Sequence, residues 1–438
     1  MVTVRAGSIA LFIVIAIAGC NAPSGVARPA ASETAPASTL VSAPPTPSFE
    51  LDSIVLLPGT ASGDWDVIGL LRNSSGLGVT NVRIRVAIAN GRGEQLAELS
   101  TSPLMATLAA GEASPFSVEF LGVGPAITAE AWVESFRPSF IRRSKLEIEV
   151  LDEFVTESGE LALLGRVSNP GSQPQSFVSL GLVGFGPASQ PVSVAPLRYG
   201  PRVIGRGETV PFLALAKGNP GQLRWQSYHD AVEVEAQVPN SLAMDEPPRL
   251  RVDSQGKVFV VGSLRNEAGL PAQASLLIIL WDGDRIVSMS ELRVPLPLQA
   301  GDRLAFAAQD FPGLSRRLAE AVPASLRIES RIEAAAQPGQ ALVLLAEVEA
   351  LHSVGSSLFL RGILRNETAQ TVDPAAVLAE LRSTDGELLS AGWFTAPRPL
   401  ASGEQTEFVI DLPLPAGTEP GEVEFDLRAL GSPLKAEQ

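Results

Sequence analysis

The sequence predicts an all-β protein of four tandem two-sheet sandwiches, preceded by an export signal and a Pro/Ala/Ser tether. Three observations predict it: a composition of turn formers, a four-fold internal repeat, and period-two alternation inside each copy. Aromatics make up 5% and charged residues 18% of the 438-residue chain, against 39 Gly and 35 Pro. Such a composition disfavours long helices and suits short strands joined by many turns. The length asks for several cores rather than one. A net charge of −15, with no basic run, excludes nucleic acid as a partner, because so acidic a surface repels polyanions.

The N-terminus reads as a targeting segment. Arg5 supplies a small positive charge, and residues 9–17 are an apolar stretch too short to span a bilayer. Ile17, Ala18, Gly19 and Cys20 follow, and they resemble the lipobox of bacterial lipoprotein precursors. The resemblance implies a signal peptide over 1–19, cleavage before Cys20, and a diacylglycerol on its thiol. The competing reading is an ordinary signal peptide with a chance cysteine, or an uncleaved anchor. Lipid on Cys20 would hold the chain on a cell membrane or outer membrane, facing out of the cytoplasm; Asn21 leaves open which. No second cysteine exists, so core burial must hold each domain without an intramolecular disulfide. Residues 20–48, almost free of large apolar side chains, read as a disordered, flexible tether.

Beyond the tether, one unit recurs four times. Gly, any residue, an aliphatic, any residue and Asn appear as Gly69–Leu71–Asn73, Gly165–Val167–Asn169, Gly262–Leu264–Asn266 and Gly362–Leu364–Asn366, with glycines 96, 97 and 100 residues apart. Only nine Asn occur in the chain, and four of them hold this one position. A second motif follows each copy: Leu108–Gly111–Glu112–Phe116, Ile204–Gly207–Glu208–Phe212, Leu298–Gly301–Asp302–Phe306 and Leu400–Gly403–Glu404–Phe408. The glycines of the two motifs lie 42, 42, 39 and 41 residues apart, a register that marks duplication.

Around each motif the pattern is β. Val258, Val260, Gly262 and Leu264 share one parity with Ser263 and Arg265 opposed; in the fourth copy Leu358, Leu360, Gly362 and Leu364 oppose Arg361 and Arg365. A strand glycine marks close backbone approach, and Asn at a strand end can bond the next turn. The second motif reads as a Gly–acid turn feeding a strand whose Phe fills the core. Alternating strands at 127–136, 231–238, 326–332 and 423–427 close the units. About seven short strands in roughly 95 residues fit the immunoglobulin-like β-sandwich. The expected repeats are 49–138, 145–239, 248–335 and 341–431. Short connectors at 137–144, 239–248 and 334–340 would allow only restricted bending, and the whole is expected to be an extended rod.

This order of features resembles the FxLYD-type domain of bacterial envelope proteins. The third copy comes nearest, with Leu280, Trp281, Asp282 and Gly283 where that domain has its Leu-Tyr-Asp triplet; the first and second depart from it. Related adhesion-like domains share the Asn strand and the Gly–Glu turn, and the two are not separated here. The resemblance implies accessory binding or spacer modules with no catalytic residues and no cofactor.

Chemistry is sparse. The two histidines, His229 and His352, fall in different repeats, and lipidation would consume the cysteine, which excludes His/Cys metal sites and Cys–His catalysis within one chain. Asp64/Asp66 and Asp282/Asp284 admit a shallow calcium loop, but solvated turns explain them better. The sequons at Asn73 and Asn366 coincide with the repeat motif, so a structural role takes precedence. One region stands apart: residues 217–230 read as a long irregular stretch, with Trp225, Tyr228 and His229 near its end. These three are the candidate binding residues, since loops on rigid sandwiches carry binding groups and Trp and Tyr supply contact area; the commoner fate of such aromatics is to cover a core. The functional expectation is a membrane-anchored, non-enzymatic rod contacting an envelope protein or a glycan. A plain stalk, an accessory subunit of an envelope complex and, more remotely, a carbohydrate-active enzyme are the alternatives.

Overall fold

The repeats are all-β and share one strand order. A computed structural model describes residues 48–59, 61–140, 146–218, 220–234, 242–318, 326–336 and 341–434; Cys20, the signal segment and nearly all of the tether lie outside them. In the first repeat Phe49–Pro58, Trp65–Asn73 and Ala113–Phe120 form one antiparallel sheet. Gln95–Thr101, Gly78–Ala89 and Thr128–Ser139 form the other, with Thr107–Leu108 pairing the start of Gly78–Ala89. The second repeat sets Glu147–Val155, Leu161–Ser168 and Thr209–Ala216 beside Pro191–Tyr199, Gln175–Phe185 and Arg224–Glu233; Leu197 and Tyr199 pair Ala214 and Leu213, tying its two sheets along one edge. The third uses Leu242–Val252, Val258–Asn266 and Arg303–Ala308 with Arg285–Arg293, Ala272–Asp282 and Arg327–Ala336. The fourth uses Leu345–Val354, Ser357–Arg365 and Gln405–Pro413 with Leu388–Thr395, Val372–Ser383 and Val423–Pro433. Leu314–Leu318 is a five-residue helix. Among the described residues, no helix is long and apolar enough to cross a membrane.

Both sequence motifs meet at one place in every repeat. The strand glycine pairs directly with the phenylalanine: Gly69 with Phe116, Gly165 with Phe212, Gly262 with Phe306 and Gly362 with Phe408. A Cβ on Gly69 would lie 2.4 Å from the Phe116 ring, so hydrogen at that position is what lets the ring lie over the strand. The Asn Nδ2 then ties the turn on each side. In the third repeat it donates to the Leu270 and Leu298 carbonyls at 2.8 Å each, while Asn266 Oδ1 accepts from the Ala268 N–H at 3.0 Å. Asn73, Asn169 and Asn366 make the same set, and all four are essentially fully buried. The acid two sequence features later closes its own turn: Glu112, Glu208, Asp302 and Glu404 each accept the backbone N–H three residues before.

The third repeat begins earlier than its prolines suggest. Leu242–Val252 pairs from Leu242, opposite Asn266, so this strand opens before residue 248. Pro247 and Pro248 sit at a register shift between Glu246 and Arg249 on an edge strand, where lost N–H donors cost nothing to the ladder.

Apolar cores run across the joints between repeats. Val183, Phe185 and Tyr228 of the second repeat pack into the core of the first; Leu277, Ile279, Trp281, Ile286 and Met289 of the third pack into that of the second. Phe259, Val261, Ala305 and Ala307 of the third meet Leu388 and Ala391 of the fourth. Each joint therefore apposes the outer face of one repeat's first sheet to the second sheet of the next. The residue before the motif glycine sits on that outer face. It is Ile68, Leu164 and Val261 in the first three repeats, at 5%, 1% and 1% exposure. In the fourth it is Arg361, exposed and paired with Glu407 at 3.0 Å. At the other end, the second sheet of the first repeat turns outward Arg85, paired with Glu98 and Glu134 at 2.5 and 2.7 Å.

Candidate functional site

Trp225, Tyr228 and His229 lie on a regular strand, Arg224–Glu233, and not in a loop. The strand escapes a period-two reading because both of its faces are covered and both carry polar groups. One parity faces the second repeat's own core: Ala231 is buried there and Trp225 packs against it. On that parity His229 Nε2 accepts the Leu146 N–H at 3.3 Å. The other parity faces the first repeat. Tyr228 is 9% exposed among first-repeat side chains, and Asp230, fully buried, accepts from both the N–H and the hydroxyl of Thr107 at 2.7 Å. Burial pushes the Tyr228 hydroxyl above its ordinary value, with Arg72 opposing the shift.

The three residues therefore do not present one surface. Trp225 and Tyr228 point to opposite sides of the sheet. Trp225 covers Gly184, where a Cβ would lie 2.9 Å from the indole ring, and Gly181 opposite Tyr228 is where Leu104 of the first repeat comes down, 2.5 Å from a would-be Cβ. The indole ring lies against the backbone at Gly184, and the Leu104 side chain lies against it at Gly181. His352 is exposed on Leu345–Val354 in the fourth repeat.

The joint that this strand helps to build holds a cleft of about 610 Å³. Leu57, Ile68 and Val118 of the first repeat and Val192, Val194 and Leu215 of the second give it apolar walls. Lys217 crosses the joint to Asp66 at 2.6 Å and Glu119 at 3.4 Å. Burial works to lower the Lys217 ammonium, but the hydrogen bond and charge of Asp66, with Glu119, outweigh it and hold the group charged. An apolar recess rimmed by fixed charges can take up a side chain or small apolar group and orient what is attached to it. The sequence does carry a trace of this cleft. In Trp65–Asn73 the run Val67, Ile68, Gly69, Leu70, Leu71 has no polar alternate, the sign of a strand buried on both faces.

The acidic pairs serve turns and joints. Asp64 accepts the N–H groups of Gly122 and Ala61 at 2.8 and 3.2 Å, and Asp66 holds Lys217. Asp282 and Asp284 flank Gly283, whose φ of 57° makes the hairpin turn. Among the described residues no three His, Cys, Asp or Glu side chains are grouped to hold a metal ion.

No protein-family model and no curated protein matches the chain. Among solved structures it is similar to Salmonella α-2-macroglobulin reacted with methylamine, at 12% identity and a TM-score of 0.13 over 87% of this chain and 28% of that one. It is likewise similar to the native conformation of E. coli α-2-macroglobulin, at 11% identity and a TM-score of 0.12 over 84% of this chain and 27% of that one. The chain thus spans less than a third of these proteins, and scores this low support no argument about activity.

Proposed function

We propose that the chain is a membrane-anchored, non-enzymatic lipoprotein, held outside the cytoplasm by lipid on Cys20, whose repeat array binds an envelope protein or a glycan. The observation that carries the binding role is the apolar cleft between the first and second repeats. The residues that recur in every copy are all engaged in holding turns and sheets, whereas this cleft exists only where two repeats adjoin. Its walls have the composition of a recognition site, and the FxLYD-like order of motifs supports an accessory binding module over an enzyme. A stalk without a ligand would have no use for a recess kept open beside a buried joint.

The test is site-specific photocrosslinking in intact cells. A photoreactive residue at Val194, inside the cleft, should capture a discrete partner, and the same residue at Glu424 on the fourth repeat should not. Capture should fall when Cys20→Ser releases the chain from its membrane. Equal capture at both positions, or none at either, would sink the cleft as the binding site; Cys20→Ser protein that still takes up labelled lipid would sink the anchor.

A further inference from the structure

We propose that a second cleft, where the first three repeats meet, binds the oxyanion of a small acidic ligand, either free or carried by a sugar. It measures about 480 Å³ and is lined by three arginines: Arg198 from Pro191–Tyr199, Arg202 from the turn after it, and Arg293 at the end of Arg285–Arg293 in the third repeat. Glu291 is the one carboxylate in that lining. A neighbouring recess of about 210 Å³ shares Arg202 and Arg293, adding Glu333. In a chain with a net charge of −15, a lining with three arginines against one carboxylate is a local excess of positive charge, with Asp310 and Glu333 standing just beside it.

The arginines keep donors to spare. Arg293 gives its Nε to Glu291 at 2.9 Å, which leaves its two Nη groups. Arg198 pairs with Asp310 at 3.6 Å, a charge contact too long for a hydrogen bond, and lies 5.4 Å from the Tyr199 ring centroid, which leaves part of its five-donor fork. The Arg202 backbone N–H goes to Glu333 at 3.0 Å, and its exposed guanidinium has no carboxylate partner among the described residues. Ser179 also lines the cleft, and its hydroxyl, shielded from solvent, has no hydrogen-bond partner among those residues. A buried hydroxyl without a partner is costly and is relieved by a ligand acceptor. Planar guanidinium forks match the oxygens of phosphate and carboxylate in pairs.

Size and charge narrow the ligand. The volume is that of a small-molecule site, and Leu104, Leu197 and Pro201 give flat apolar walls beside the charges. Three guanidinium groups in a recess of this size match a ligand with one or two anionic groups. This inference rests on reading the array as a binding protein, but it concerns a different recess, so crosslinking at Val194 can succeed or fail independently.

Calorimetric titration of the full chain with inorganic phosphate, glucose 6-phosphate and glucose decides it. Saturable binding of the two phosphates, weakened by added salt, and none of glucose is the expected result. Tighter binding of glucose 6-phosphate assigns a sugar-borne group and equal binding a free anion; either supports the site. Arg202→Ala with Arg293→Ala should weaken binding roughly tenfold or more, Lys at both positions should recover part of it, and Arg92→Ala in the first repeat should change nothing. Arg202 and Arg293 are largely exposed, so the melting temperature should hold and a loss of binding reads on the site. No saturable binding of either phosphate by the native chain, or undiminished binding by the double alanine variant, overturns the proposal.

Discussion

At the scale of single residues, the repeated positions divide into one that bonds and one that makes room. Asn266 spends its amide on two carbonyls and an N–H with no water in reach. Removing it strands several buried groups, at a cost of about 1–3 kcal/mol each. The glycines differ in what they make room for, and this yields a sharper test. At Gly69 the three nearest atoms to an added Cβ all belong to the Phe116 ring, whereas at Gly362 the nearest is the Glu347 carbonyl at 2.1 Å, with the Phe408 ring behind it. Gly69→Ala should therefore lower the melting temperature and Phe116→Leu should restore part of the loss. Gly362→Ala should be at least as damaging, and Phe408→Leu should not rescue it. Equal rescue at both sites, read by thermal melts of the four variants, would mean the backbone contact is unimportant. These residues were legible in the sequence because each is written four times. Asp230 and Thr107 were not: a joint between two particular repeats is written once, and nothing in one strand announces its partner 123 positions away.

At the scale of elements, Arg224–Glu233 is where the sequence misleads. Its inner parity carries Ser227 and His229, its outer parity Tyr228 and Asp230, so polarity no longer tells inside from outside. Alternation alone therefore places the closing strand of the second repeat at 231–238 and a loop over 217–230, whereas the strand runs Arg224–Glu233. The second strands of the first three repeats show the converse, since their apolar runs announce burial without saying what covers them. Trp225→Ala and Tyr228→Ala should both destabilise, the first by opening the second repeat's core and the second by loosening its joint with the first. About 2–4 kcal/mol is expected for each, typical of large aromatics removed from packed surroundings. Unchanged melting with lost partner capture would instead return both residues to a binding surface. Tyr199 makes a pH-sensitive element of the second joint. Burial, then its hydrogen bond to Asp310, pushes its hydroxyl up to about 12. The unfolded chain loses that proton near 10; between those values the folded state holds one proton more, so stability must fall as pH rises through the window. Tyr199→Phe should flatten that slope in denaturant melts taken from pH 9 to 12.

At the scale of the whole molecule, the cores shared across joints couple repeats that the connectors alone would leave separate. The sequence favours four locally independent domains, so that damage at Asn266 would stay in the third. With Leu277, Ile279 and Trp281 built into the second core, and Val261 into the joint with the fourth, the damage should spread. Calorimetry of Asn266→Ala is expected to move the transitions of the second and fourth repeats along with the third; a single displaced transition with the others fixed would argue for independence. A 248–335 fragment would lose Leu242 and Met244 from its first strand and bare both joint faces, and should not stay monomeric. Arg361 has a consequence for how such a gene can grow. A copy of the last repeat appended to the end would have to close over the Arg361–Glu407 ion pair where its predecessors offer Ile68, Leu164 and Val261, and stripping water from both charges costs more than the packing around them returns. The interior units bring a receptive face and a docking face together, so a duplicate of the second or third repeat would stack without burying that pair, whereas a duplicate of the fourth would not.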